Sequence, residues 1–144
     1  MILLKEIQNN IEDLGYQCDF YDASDELPIP MLIIDISEDD YDIEEKDKQY
    51  LTVSIMPEGE DLDGSEFIQF YYTNPNLIDT NDLEGFKRSL FRKNRNLPLG
   101  HYNFNESESS IYFKYVLVVP KNKSLDIALL NDVLDMCVYA VKNL

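Results

Sequence analysis

The sequence predicts an α+β domain in which an antiparallel sheet of about five strands carries helices on one of its faces. Three observations support this fold class. The chain begins and ends with segments whose apolar residues recur at helical spacing. Between them lie short segments, apolar or alternating, that are typical of strands. Pro, Gly and acidic residues separate these segments. The predicted element order is α-β-β-β-α-β-β-α. A chain of 144 residues fits one domain, residues 1–144, with one core.

The two terminal helices are predicted from apolar stripes. The first, over residues 1–14, ends before Gly15, which can adopt the left-handed conformation of a helix C-terminus. The last, over residues 125–142, has Ser124 as its predicted N-cap. Its apolar residues cover more than half of its circumference, although a surface helix needs a stripe of only about 100°. Two explanations stay open: another element of this chain covers the surplus, or a second copy does.

The middle of the chain supplies the strands and one short helix. Strands are predicted at residues 31–36, 50–56, 67–72, 102–105 and 110–119. The short helix begins at Asn81 or Asp82, and residues 37–48 are expected to form a long exposed acidic loop. The residues that we expect in the core are Ile7, Ile11, Val53, Ile55, Phe113, Leu117, Leu130 and Leu134.

Charge is large and unevenly distributed. The formal net charge is −16, from 28 acidic and 12 basic side chains. Residues 1–72 contain 20 acidic and 3 basic side chains, whereas residues 73–144 contain 8 and 9. Such a charge repels phosphates, so neither nucleic acid nor an anionic membrane is expected as a partner. The acidic first half would instead attract a basic protein surface.

The residue types that carry most catalytic and metal chemistry are scarce. The chain has one histidine, His101, and two cysteines, Cys18 and Cys137, which do not form a CxxC pair. Cys137 lies among apolar residues and is expected to be buried, and two unpaired thiols are typical of a reducing cytoplasm. No phosphate-binding glycine motif occurs, and the acidic turn at residues 58–64 lacks the ligand spacing of a calcium loop. The sequence therefore predicts no enzyme activity, no cofactor and no metal.

Several segments together resemble a known fold. They are residues 94–100 (NRNLPLG), residues 102–104 (YNF), residues 111–117 (IYFKYVL) and the final helix to residue 144. With the element order, they make the chain similar to the type III secretion chaperone-like fold, which includes secretion chaperones and the YbjN-like bacterial proteins. This resemblance implies a cytoplasmic, usually dimeric binding protein without a cofactor. Secretion chaperones hold an extended segment of an unfolded partner on their surface.

Three functional hypotheses follow. The first is a non-catalytic, chaperone-like protein-binding module that holds a segment of a partner protein and is expected to be a homodimer. The second is an acidic inhibitor or immunity-type protein that masks a basic surface of an enzyme, and the third is an enzyme of an unrecognised class. For the first hypothesis, the expected partner-binding residues lie on the last two helices: Phe86, Leu90, Phe91, Leu129, Val133 and Met136.

Overall fold

A computed structural model describes residues 3–37, 43–74 and 80–144 of the chain. Within them, the elements follow the order α-β-β-β-β-α-β-β-α. The helices are α1 (Leu4–Asp13), α2 (Leu83–Asn94) and α3 (Ile127–Lys142), and the strands are β1 (Gln17–Tyr21), β2 (Met31–Asp35), β3 (Tyr50–Ile55), β4 (Ser65–Thr73), β5 (His101–Asn105) and β6 (Ser110–Pro120). Residues 1–2 of the predicted first helix and residues 38–42 of the predicted acidic loop lie outside the described residues.

The strands form one open antiparallel sheet in the order β1-β2-β3-β4-β6-β5. The predicted α+β class is confirmed, but the sheet has six strands rather than about five. The strand missing from the prediction is β1, which pairs with β2 over its whole length. Its inward residues are Cys18, which is buried, and Phe20, which packs against the core. Only these two of its five residues are apolar and point inward, and Tyr21 interrupts their alternation, so β1 resembles a loop in the sequence.

The core lies between one face of the sheet and the helices. Alternate residues of each strand point to this face, and the largest fully buried side chains among them are Phe70 and Phe113. Seven of the eight predicted core residues are buried, and the eighth, Ile55, is partly buried and packs against the same cluster. Burial of these apolar side chains supplies the main stabilisation of the fold, at about 25 cal/mol for each Å² removed from water.

The helix ends follow ordinary capping chemistry, with one correction to the prediction. Gly15 has a φ of +98° and ends α1 as predicted, and the side chain of Asp82 caps α2 by accepting a hydrogen bond from the Gly85 N–H at 3.1 Å. The predicted N-cap of the last helix, Ser124, is wrong. Asp126 caps α3 instead, because its carboxylate accepts hydrogen bonds from two N–H groups of the first turn. An N-cap residue directly precedes its helix, and α3 begins only at Ile127.

The chain itself covers much of the wide apolar surface of α3. The side chains that it buries are Leu130, Val133, Leu134, Cys137, Ala140 and Val141. Three apolar side chains on other sides of the helix stay exposed: Ile127 at 49%, Leu129 at 43% and Tyr139 at 48%. Packing within the chain therefore covers most of the wide apolar circumference that the sequence predicts for this helix. These three residues belong to the part of it that stays exposed.

Both edges of the sheet carry hydrogen bonds from amide side chains of helices. At β5, Asn94 at the end of α2 donates to the Tyr102 carbonyl at 3.0 Å and accepts from the Tyr102 N–H at 2.6 Å. This amide occupies the position that the peptide group of a further strand would take. At β1, the side chain of Gln8 on α1 donates to the Cys18 carbonyl at 3.0 Å. Covering an edge strand in this way hinders the addition of another strand.

We expect Asn94→Ala to lower the free energy of unfolding by about 1–3 kcal/mol, because it leaves the Tyr102 N–H and carbonyl without their partner. Asn94→Asp keeps an acceptor for the N–H and loses only the donor, so its effect should be smaller. Urea denaturation followed by circular dichroism measures both variants. Equal stability of wild type and Asn94→Ala would show that water replaces the amide at no cost.

Candidate functional site

An apolar cavity of about 390 Å³ lies at one end of the sheet. Such a volume falls in the range of known binding sites, about 300–1,000 Å³. Five separate parts of the chain form its wall: the start of α1, the segment before β2, the end of β3 with the loop that follows, the start of β4, and the residue directly after β6. The lining residues are Leu3, Leu4, Ile29, Pro30, Ile55, Met56, Pro57, Gly59, Glu60, Glu66 and Lys121.

Two acidic loops border this cavity. The β1–β2 loop and the β3–β4 loop lie at the same end of the sheet, because β1 pairs with β2 and β3 pairs with β4 in antiparallel hairpins. Residues 22–30 and 56–64 contain no basic side chain. Their exposed acidic residues are Asp22, Asp25, Glu26, Glu58, Glu60, Asp61 and Asp63. We call these seven residues the acidic rim. The site thus combines apolar walls with a negative entrance.

The β3–β4 loop is held in place by one lysine. The ammonium group of Lys121 donates to the carbonyls of Gly59 at 2.8 Å, Glu60 at 3.1 Å and Leu62. These three bonds tie the loop to the end of β6, so the wall of the cavity does not depend on the loop alone. Glu66, at the start of β4, is only 5% exposed and places a carboxylate side chain in the wall.

The other acidic loop of the described residues, which joins β2 to β3, lies at the opposite end of the sheet. Here the carboxylate of Glu45 pairs with Lys48 at 3.0 Å and accepts a hydrogen bond from the Tyr50 hydroxyl at 3.0 Å. The hydrogen bond from Lys48 is the main cause that lowers the pKa of Glu45. Part of the charge of this loop is therefore balanced locally by Lys48.

The six residues predicted to bind a partner are divided between the core and the surface. Leu90 and Val133 are buried in the core, and Phe86 packs edge-on against Phe104 of β5, with 6.0 Å between the ring centroids. Met136 is half-buried. Only Leu129, at 43%, and Phe91, at 64%, are exposed. The side of the molecule formed by the helices therefore presents separate apolar residues. That they bind a partner stays a prediction.

The face of the sheet opposite the core forms a second candidate surface. The described helices pack on the core face and leave the opposite face uncovered. Tyr71 and Tyr112 stack on it, with 5.4 Å between their ring centroids, and Val116 lies beside them. Val118 is 59% exposed and Tyr21 is 48% exposed. This face therefore presents aromatic and apolar side chains that no described helix covers.

The two thiols and the single imidazole do not lie at the cavity. Cys18 and Cys137 are buried and free, and burial is the main cause that raises the pKa of Cys137 to about 12 and that of Cys18 to about 11. His101 is exposed at the start of β5, and its ring meets that of Tyr112 edge-on, with 6.5 Å between the ring centroids. Within the described residues, no group of three or more His, Cys, Asp or Glu could hold a metal ion.

We expect neither cysteine of the folded protein to react with the thiol reagent DTNB at pH 8. The thiolate is the reactive form, and the raised pKa values keep both thiols protonated. Absorbance of the released thionitrobenzoate measures the reaction, and two equivalents should appear once guanidinium unfolds the chain. Rapid labelling of the folded protein at either position would contradict the burial of that residue.

Comparison with protein-family models and with curated proteins gives no match for this chain. Among the described helices, none is both long enough and apolar enough to cross a membrane.

The cavity was not predicted from the sequence, although part of its signal is present there. Ile29 and Pro30 directly follow one acidic turn, and Met56 and Pro57 directly precede another. The sequence does not reveal that the two segments meet, because their proximity depends on the pairing of four strands.

Proposed function

We propose that this protein is a non-catalytic, chaperone-like binding module that holds a segment of a partner protein in the cavity at the end of the sheet. The observation that carries this proposal is the combination of an apolar cavity of about 390 Å³ with the acidic rim. The segment that fits this chemistry has a large apolar side chain flanked by lysine or arginine residues.

The two parts of the site have different roles. Burial of an apolar side chain against Ile29, Ile55 and Met56 supplies affinity, because it removes apolar surface from water on both partners. The acidic rim attracts the basic flanks, which accelerates encounter and rejects acidic segments. Exposed charge pairs contribute only about 0.2–1 kcal/mol each, so the rim is expected to select partners more than to hold them.

A labelled peptide with one phenylalanine between pairs of lysines tests this proposal by fluorescence anisotropy. We expect it to bind wild-type protein, and a matched peptide with glutamates in place of the lysines to bind at least tenfold more weakly. Ile29→Trp places a larger side chain in the cavity and should abolish binding of the lysine peptide. Circular dichroism confirms that this variant is folded.

Two double variants that change the net charge equally distinguish the effect of the acidic rim on binding from the effect of the protein's net charge. Glu58→Gln combined with Asp61→Asn neutralises two rim carboxylates, and we expect about fivefold weaker binding of the lysine peptide at low salt. Glu44→Gln combined with Asp47→Asn makes the same change at the opposite end of the sheet and should have little effect. Equal effects of both double variants, or no binding to wild type, would refute the proposed site.

The acidic rim also supports a second candidate function, an inhibitor or immunity-type protein that masks the basic surface of an enzyme. A folded basic surface would contact the rim without entering the cavity. In that case, binding of a basic partner protein would depend on Glu58 and Asp61 but would be insensitive to Ile29→Trp. The same set of variants therefore distinguishes a captured segment from a masked surface.

The proposed setting is the cytoplasm, where thiols stay reduced. The two cysteines are both free, which supports this proposal. Membership of the chaperone-like or YbjN-like family also stays a proposal, supported by the α+β architecture and by the segments in which the resemblance was found.

A further inference from the structure

The uncovered face of the sheet has an ordered arrangement of charge. The strand registers place one residue from each strand in a single row across this face. From β1 to β5, the row is Asp19, Ile33, Thr52, Tyr71, Lys114 and His101. An acidic side chain therefore stands at one end of the row, a basic one stands near the other end, and uncharged residues lie between them. Asp35, also on β2, adds a second carboxylate to the acidic end.

This arrangement is complementary to itself. A two-fold axis can lie midway between two such faces, parallel to the strands and between β3 and β4. It places β1 of one copy over β5 of the other, and β2 over β6. Asp19 then lies over His101 of the second copy, one strand away from Lys114 of that copy, and the symmetry repeats these contacts on the other side of the axis. Self-complementarity of one patch is the requirement for a two-fold symmetric dimer.

We propose that the uncovered face binds a second copy of this chain, which goes beyond the binding of a partner segment in the cavity. Tyr71, Tyr112 and Val116 of each copy would contact β3 and β2 of the other copy. The two sheets would pack face to face, about 10 Å apart, as in aligned β-sandwiches.

The size of the face agrees with this occupant. Six strands spaced by about 4.8 Å give a width of roughly 24 Å, and rows of alternate residues extend for about 20 Å along β4 and β6. Covering such a face on both copies removes on the order of 1,000 Å² from water, which reaches the lower limit of specific interfaces. The amide of Asn94 blocks the alternative of strand addition at β5.

The cavity and the acidic rim would remain accessible in this dimer. The cavity opens at the end of the sheet. Its lining residues Glu66, near the start of β4, and Lys121, directly after β6, lie outside the central row. The net charge of −16 on each chain opposes association at long range, but salt screens this repulsion beyond about 10 Å at 0.1 M. Dimerisation is therefore best measured at physiological ionic strength.

Sedimentation equilibrium tests this proposal with complementary charge reversals. We expect the wild type to sediment at twice the mass of one chain, and Asp19→Lys and Lys114→Asp each to weaken dimerisation at least tenfold. An equimolar mixture of the two variants should restore the dimer, because every contact in the mixed dimer then joins opposite charges. Should Asp19→Lys fail to fold by circular dichroism, Asp35→Lys takes its place.

A variant on the helical side provides the matched control. Leu129→Ser changes an exposed apolar residue of α3 and should leave the dimer intact. Three results would overturn the proposal: a wild type that stays monomeric at 100 µM, a dimer that none of the charge reversals weakens, or a dimer that Leu129→Ser disrupts. Peptide binding in the cavity is measured separately, so failure of the dimer does not decide the proposed function.

Discussion

Gly100→Ala is expected to lower the free energy of unfolding by about 3–4 kcal/mol. Gly100 lies directly before β5 and has a φ of +72°, a conformation that costs a residue with a Cβ atom about 1–2 kcal/mol. The added Cβ would also lie 2.6 Å from Cε2 of Phe113 and 2.7 Å from the Lys114 carbonyl oxygen. Phe113 is fully buried and the carbonyl belongs to β6, so neither can move without disturbing the sheet.

Gly15→Ala is the matched control for this substitution. Gly15 also has a positive φ, of +98°, but a Cβ atom added there would meet no atom within 4 Å. Its expected cost is only the backbone contribution, about 1–2 kcal/mol. Urea denaturation of both variants measures the difference, which isolates the close packing between Gly100 and β6. Equal losses of stability would show that the sheet relaxes around the added methyl group.

Leu134→Ala is the second substitution for which we expect a large effect, a loss of about 2–5 kcal/mol in the free energy of unfolding. Leu134 is fully buried on the side of α3 that faces the sheet, so truncation removes apolar contacts and leaves a cavity. Leu129→Ala, on the same helix, truncates a side chain that is 43% exposed and should cost less than about 1 kcal/mol.

Thermal and urea denaturation of these two variants also test the orientation of α3. If Leu129→Ala proved as destabilising as Leu134→Ala in the isolated chain, then the helix would be rotated relative to the structure described here. A large effect of Leu129→Ala only at high protein concentration would instead indicate that this residue lies in an interface between copies.

Segments with strong periodicity were predictable from the sequence. The stripe of α1 and the alternation of β3 and β6 each depend on burial of one face, which the order of apolar and polar residues records directly. The cap of α2 was also predictable, because Asp82 acts within its own turn. For α3, two acceptable cap residues, Ser124 and Asp126, stand close together, and local chemistry alone does not choose between them.

The candidate site was less predictable because it depends on contacts between distant parts of the chain. Counting charges located the acidic excess in the first half of the sequence, but only the hairpin pairing brings residues 22–30 and 56–64 to the same end of the sheet. Likewise, an apolar residue on a helix is equally compatible with the core and with a binding surface. Leu90 and Val133 therefore looked like interface residues and are buried in the core.

The contacts of Tyr102 couple the local stability of three elements. Its backbone is bonded to Asn94 at the end of α2, and its hydroxyl donates to the Ala140 carbonyl in α3. Opening of β5 would therefore break bonds to both helices at once. In native-state hydrogen exchange, the amides of β5 and of the last turn of α2 should exchange as one cooperative unit, with a common opening free energy. The edge of the sheet would then be as long-lived as the helices that cover it.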